Sequence, residues 1–256
     1  MADMASRHSS QDAVGLLRRD LEQVLGPRLL ALVVYEGHGL HGDLPGAADA
    51  AGDVTDAGHG RLVHTLAVVD ALGTEDLARM AALAAGWEKA QLALPLIFDR
   101  TELARSLDAF PLEFSQILAG YRVVLGDDPL AGMSVLKDDL RRACEAQVKS
   151  HLVHLREGYL QTAGRRDDVL RLVVASTVPL RALLVNIARL HGVRIRTPED
   201  LAAFVEERLH VPATGLKPIL ALADGKAKGG GDGADLFPRY LEALQQLARL
   251  VDEWII

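Results

Sequence analysis

The residues best equipped for chemistry gather in one stretch. Between an apolar run at residues 29–35 and a second at 62–69 lie His38, His41, Asp43, Asp49, Asp53, Asp56 and His59, spaced by glycine and alanine. Imidazole and carboxylate groups suit a transition metal if a loop folds them into a cage. Their spacings match no standard metal motif, and Asp43, Asp53 and Asp56 are the candidate ligands if a metal binds. Asp53 and Asp56 stand three apart, whereas residues on one strand face stand two apart. The loop opens with "EGHG": Glu36, Gly37, His38 and Gly39. Glycine there lets the backbone approach a ligand closely. Elsewhere, His151 and His154 are three apart, close enough to share a helix face. With no third ligand nearby in sequence, that pair reads as surface or packing. Ser115 and Ser134 have no nucleophile context. No Walker or dinucleotide-binding glycine motif is present. Cys144 is the single cysteine, which excludes an intrachain disulfide and a multi-cysteine zinc site. It occupies an apolar helical position, as a buried inert thiol does.

These residues need elements to position them. Val14, Leu17, Leu21 and Val24 predict a helix over about residues 11–25, with Ser9 and Asp12 as its capping box and Gly26-Pro27 as its stop. "LLALVVY" reads as a buried strand. The loop of residues 36–60 is long enough to be either functional or disordered. A second strand follows over 62–69, then a helix over 74–89 with Leu77, Met80, Ala84 and Trp87 on one face. "LALPLIF", residues 92–98, reads as a third strand, held to an edge by Pro95. Asp99 and Glu102 form a capping box for a short helix. "PLEFSQI" and "YRVVLG" read as two more strands.

From residue 134 the pattern changes. Leu136, Leu140, Cys144, Val148, Leu152, Leu155 and Tyr159 step by three and four, predicting one amphipathic helix of about thirty residues. A second helix over 167–190 is apolar nearly all round and should be central, with Pro179 kinking it. Its polar residues and the "HLREGYL" segment suggest buried ion pairs among Glu157, Asp168 and Arg181. Thr197-Pro198 with Asp200 starts another helix. "DGKAKGGGDG", residues 224–233, reads as a flexible linker. A last helix runs from about 235 to the end. The expected division is therefore an α/β half, 1–133, and a helical bundle, 134–256.

Composition narrows the function classes. Hydrophobic residues make up 49% and charged residues 25%, as in ordinary globular proteins, and aromatics are only 4%. A net charge of −7 argues against a nucleic-acid partner, since such domains carry a basic face. Arg141-Arg142 and Arg165-Arg166 read as solvated positions. The start of the chain has no apolar run of signal-peptide length, and no uncharged run reaches the ~18 residues of a membrane span. A cytoplasmic protein without membrane contact is the simplest expectation.

The order of these elements resembles the nucleotidyltransferase superfamily, in particular the small kanamycin nucleotidyltransferase-like proteins, over nearly the whole chain. The resemblance implies an α+β fold: a mixed sheet with flanking helices, followed by an all-α bundle. It also implies a Gly-Ser pair after the first strand, an Asp-x-Asp pair opening the second strand, and a third carboxylate between apolar neighbours on a later strand. Together such acids hold magnesium, which polarises a nucleoside triphosphate and activates the attacking hydroxyl. Here "YEGHG" stands in the Gly-Ser place. Gly37 and Gly39 keep backbone freedom, the serine is absent, and Glu36 puts negative charge where phosphates would lie. Aligning Leu66–Val69 puts Val63 and Thr65 in the Asp-x-Asp places. Glu113, in "PLEF", stands as the surviving third carboxylate. Families that add a ribonuclease-like bundle use an Arg with a His five to seven residues later; Arg156, Arg171 and Arg181 lack it.

The expected function is a catalytically degenerate nucleotidyltransferase-like protein that binds a nucleotide or small molecule, or a partner, through Glu36, Gly37, His38 and Gly39, without a required cofactor. Two alternatives stay open. One is an active enzyme that uses Mg2+ held by loop carboxylates plus Glu113. The other is a helical scaffold that dimerises through residues 134–163 and 235–256.

Overall fold

The computed structural model describes residues 2–35, 62–195, 197–211, 213–223 and 233–254. The loop of residues 36–61 and the linker of 224–232 fall outside them. The chain forms two compact units that part between Val135 and Leu136.

The first unit is built on a four-stranded sheet in the order β3-β2-β1-β4. Strand β1 (Leu29–Tyr35) pairs antiparallel with both β2 (His64–Val69) and β4 (Tyr121–Leu125). Strand β2 pairs in parallel with β3 (Leu96–Asp99). A parallel pair needs a crossover, and helices α2 (Thr74–Ala81) and α3 (Ala84–Lys89) supply it. The single helix expected over 74–89 is thus two, parted at Ala82-Leu83, and Leu77 is exposed while Met80 and Trp87 are buried. Strand β3 lies at the sheet edge, directly after Pro95, whose missing N–H excludes it from a central ladder.

Both faces of the sheet are covered, so β1 and β2 read as continuous apolar runs. One face bears Leu32, Ala67 and Val69 and packs on Leu17, Leu21, Met80 and Trp87. The first two belong to α1 (Ala2–Leu25), which begins well before the expected Ser9 cap because no Gly or Pro interrupts residues 2–10. Trp87 Nε1 donates to Asp20 Oδ2 at 2.8 Å, tying α3 to α1. Arg28 grips Asp76 with two bonds of 2.6 and 2.7 Å, joining the entry of β1 to the first turn of α2. The other face bears Ala31, Val33, Tyr35, Leu66 and Val68 against Leu103, Phe114 and Ile117. Leu103 lies on α4 (Arg100–Arg105), whose Asp99–Glu102 capping box forms as expected.

Phe114 and Ile117 overturn one expectation. "PLEFSQI" is not a strand but the body of helix α5 (Pro111–Ala119). Proline pre-sets the helical φ at a helix start. The buried residues Pro111, Phe114 and Ile117 recur every three positions, which is a helical stripe.

The second unit is all helix. Helix α6 (Lys137–Thr162) buries Leu140, Cys144, Val148, Leu152 and Leu155. The helix expected over 167–190 is broken into α7 (Arg166–Ala175) and α8 (Thr177–Leu190). Pro179 cannot donate to the Ala175 carbonyl and its ring would crowd it, so α7 ends at Ala175. Pro179 then falls in the first turn of α8, where no donor is required. By length and composition the Arg166–Leu190 segment is apolar enough to cross a membrane, although it carries charged residues. Half of its apolar window is buried among other helices, as in a core helix. Helix α9 (Pro198–Ala203) starts on the expected Thr197–Asp200 capping box, and a π-helical turn, Phe204–Arg208, continues it. Helix α10 (Ala213–Ala223) had no sequence expectation, because Gly215 and Pro218 interrupt its pattern; Leu216, Ile219 and Leu220 are nonetheless buried. Helix α11 (Gly233–Glu253) closes the unit, packing Phe237, Tyr240, Leu244, Leu247 and Val251 among α6, α7 and α10.

Candidate functional site

The head of β2 is where the sequence placed the chemistry, and strand alternation decides what it offers. Directly opposed residues of an antiparallel pair share a face. Val34 opposes Thr65 and Tyr35 opposes His64. Val63 and Thr65 therefore point to the α1–α3 side, and Val63 packs against that core. His64 and Leu66 point to the other side, with Tyr35 and Phe114.

Glu113 belongs to this second side. It stands in the first turn of α5, half-buried, one residue before Phe114. Its charge reaches Tyr35: the Tyr35 phenol is pushed up to about 12, first by burial and then by the Glu113 carboxylate. The expected trio of Val63, Thr65 and Glu113 is thus split across the sheet. Glu113 shares its face with His64 and Leu66.

The site that forms among the described residues is a cluster at the ends of β1 and β2. The Tyr35 and His64 rings lie 5.7 Å apart, tilted by 38°. Glu113 acts on Tyr35 from α5, a helix that also buries Gln116. Phe98 and Phe114, with ring centroids 5.7 Å apart, form the apolar floor. The cluster brings together a phenol, an imidazole and a carboxylate, groups that hydrogen-bond polar ligands. On the opposite side Thr65 is 1% exposed, and its hydroxyl has no hydrogen-bond partner among the described residues.

Sequence reasoning missed Tyr35 and His64. Their signal was present as the polar ends of two apolar runs flanking the glycine loop. Pairing them required the strand register.

The remaining candidates separate clearly. Glu36, Gly37, His38, Gly39, Asp43, Asp53 and Asp56 lie outside the described residues. Asp99, the carboxylate of β3, stands beside Val69 at the far end of the ladder, about 17 Å from His64 at ~3.3 Å per residue. It is committed to capping α4. His151 and His154 do not converge: His151 is hydrogen-bonded to the Tyr240 hydroxyl at 2.6 Å, whereas His154 is exposed and pairs with Glu157 at 3.0 Å. Asp168 bonds to Arg165 and Arg171, both on the surface, rather than in a buried pair. The Cys144 thiol is fully buried and pushed up to about 12 by that burial, so it is inert. Among the described residues no group of three or more His, Cys, Asp and Glu side chains is arranged to hold a metal ion.

No family model matches the chain, and no curated protein matches it. A solved structure does. The chain is similar in fold to spectinomycin adenyltransferase AAD(9) from Enterococcus faecialis, determined with ATP and spectinomycin. The TM-score is 0.54, the identity 12%, and the match covers 95% of this chain and 99% of that one. The mixed sheet with flanking helices, followed by a helical region, is thus a nucleotidyltransferase-like fold.

Proposed function

We propose that this chain is a nucleotidyltransferase-like protein that has lost metal-dependent transfer chemistry and acts as a nucleotide- or small-ligand-binding module. The observation that carries the proposal is the register of β2. On the face shared with Glu113 the strand offers His64 and Leu66; on the other it offers Val63 and Thr65. Neither pair supplies the two carboxylates that magnesium needs, and a single Glu113 makes a poor magnesium site. A fold of this kind hosts many functions, so the cluster of residues, not the fold, must carry the reading. Tyr35, His64 and Glu113 bring polar and aromatic groups together at the ends of β1 and β2, which suits binding without catalysis.

Titrating ATP into the protein with and without Mg2+, alongside a pyrophosphate-release assay, tests this. Expected are binding that is indifferent to Mg2+ and no pyrophosphate release. Mg2+-dependent binding that disappears in Glu113→Ala, together with turnover, would establish an active enzyme instead.

One observation favours the scaffold as second reading. Leu160 is 77% exposed and Val153 49% exposed on α6, with Val174 and Val178 also exposed at the α7–α8 junction. The apolar face of α11 is buried, so a dimer seam would use α6 and α7 rather than the expected α6 and α11. No nucleotide binding and a concentration-dependent mass would support it.

A further inference from the structure

Helix α6 turns two unlike faces in opposite directions. Leu140, Cys144, Val148, Leu152 and Leu155 form its buried stripe. Val153, Arg156, Glu157 and Leu160 step by three and four along the other side, so they share one face. All four are exposed, Leu160 at 77% and Val153 at 49%. Helix α7 packs on a flank of this face and not over it: a Cβ on Gly158 would meet the Leu172 side chain at 2.5 Å.

The order of residues on the exposed face is self-complementary. Reversed about the midpoint between Arg156 and Glu157, Val153 falls on Leu160 and Arg156 falls on Glu157. A two-fold axis between antiparallel helices applies that reversal, since each residue i that meets j is matched by j meeting i. Apolar residues then meet at both ends of the contact, and opposite charges meet twice at its centre. Parallel packing would instead set arginine on arginine and glutamate on glutamate. Both charges have room for a partner. Among the described residues Arg156 makes no hydrogen bond or ion pair. Glu157 Oε2 lies 3.0 Å from His154 Nδ1, which leaves Oε1 for a second donor. A lone exposed leucine is ordinary on a protein surface, and a lone surface ion pair contributes little. Here an apolar pair and a charged pair obey the same axis.

We propose that α6 packs antiparallel on α6 of a second copy of this chain, with the two-fold axis passing between Arg156 and Glu157. Val153 then covers Leu160 of the second copy, and Arg156 pairs with Glu157 of the second copy. One helix face is a small interface, so this dimer dissociates on dilution. The inference rests on the scaffold reading above and narrows its seam to α6.

The test is sedimentation of the full chain over a wide range of concentration, joined to oxidative cross-linking. Wild-type protein is expected to pass from monomer to dimer. Leu160→Glu should stay monomeric and keep the wild-type melting midpoint, because the side chain is exposed. Arg156→Glu and Glu157→Arg should each weaken the dimer about tenfold, and the chain carrying both exchanges should recover it. A mixture of Val153→Cys and Leu160→Cys chains should form the mixed disulfide. Neither should link to its own kind, since like positions stand about 10 Å apart along the seam at ~1.5 Å per residue. The buried Cys144 does not compete. A dimer that survives Leu160→Glu, a double exchange that fails to restore it, or cross-links between like positions overturns this seam and leaves the scaffold reading standing. A chain that stays monomeric at every concentration overturns both.

Discussion

Two places in the molecule bury polar side chains and treat them differently. At the head of β2 Thr65 is 1% exposed, and its hydroxyl lacks a hydrogen-bond partner among the described residues. In the bundle, Tyr240 is fully buried, bonds His151 at 2.6 Å, and lies within hydrogen-bond reach of Ser176. The second arrangement joins α6, the α7–α8 junction and α11 in one network. Satisfied buried polar networks fix one packing of helices. An unsatisfied hydroxyl does the opposite: it costs stability and specifies nothing. The difference teaches that the bundle is built to hold itself together, whereas the head of β2 carries a polar side chain that packing alone does not explain.

Removing the bundle network should have the largest effect. Tyr240→Ala is expected to cost about 3–5 kcal/mol, the usual range for deleting a large buried aromatic. Tyr240→Phe keeps the volume and deletes only the hydroxyl, so it should cost about 1–2 kcal/mol. Chemical denaturation measures both. A neutral Tyr240→Phe would break the contrast, because the network would then contribute no more than the lone threonine.

The same measurement at Thr65 should give the opposite sign. Thr65→Val is nearly isosteric and removes an unpaired buried hydroxyl, so it should stabilise by about 1 kcal/mol. Destabilisation there would mean that the hydroxyl has a partner in the folded protein.

A smaller effect concerns pH at the joint between β1 and α2. Hydrogen bonds from Arg28, then from the Gly73 N–H, hold the Asp76 carboxyl down to about 2, from 3.8. A depressed carboxyl stabilises the fold above its unfolded value and loses that contribution as pH falls. Stability should therefore fall between pH 4 and 2, and Asp76→Asn should flatten that fall in acid melts.

The smallest effect tests the site itself. With the Tyr35 phenol at about 12 instead of 10, its neutral form is favoured by the fold, so stability is full below pH 10 and is lost as pH rises toward 12. Burial is the main cause and the Glu113 charge the lesser one. Glu113→Gln should bring the Tyr35 ionisation, followed by ultraviolet absorbance, slightly earlier. An unchanged titration would place Glu113 too far away to belong to the cluster.

Much of this architecture was legible in the amino-acid order. The apolar runs of β1 and β2, the edge placement enforced by Pro95, the Asp99 and Thr197 capping boxes and the long stripe of α6 all rest on local rules: strand composition, a missing donor, side chains reaching the first free N–H groups, and a helical period. Those rules act within a few residues, so the sequence determines them by itself. Three outcomes needed tertiary structure. Glu113 changed from strand to helix because a short apolar run is ambiguous until its burial stripe is known. Helix α10 formed through Gly215 and Pro218 because burying Leu216, Ile219 and Leu220 outweighs poor helix propensity. Above all, the partner of Glu113 was decided by register: one residue of slip moves every side chain of a strand to its other face. That choice is made by the whole sheet, and it sets His64 and Leu66, rather than Val63 and Thr65, on the side of Glu113.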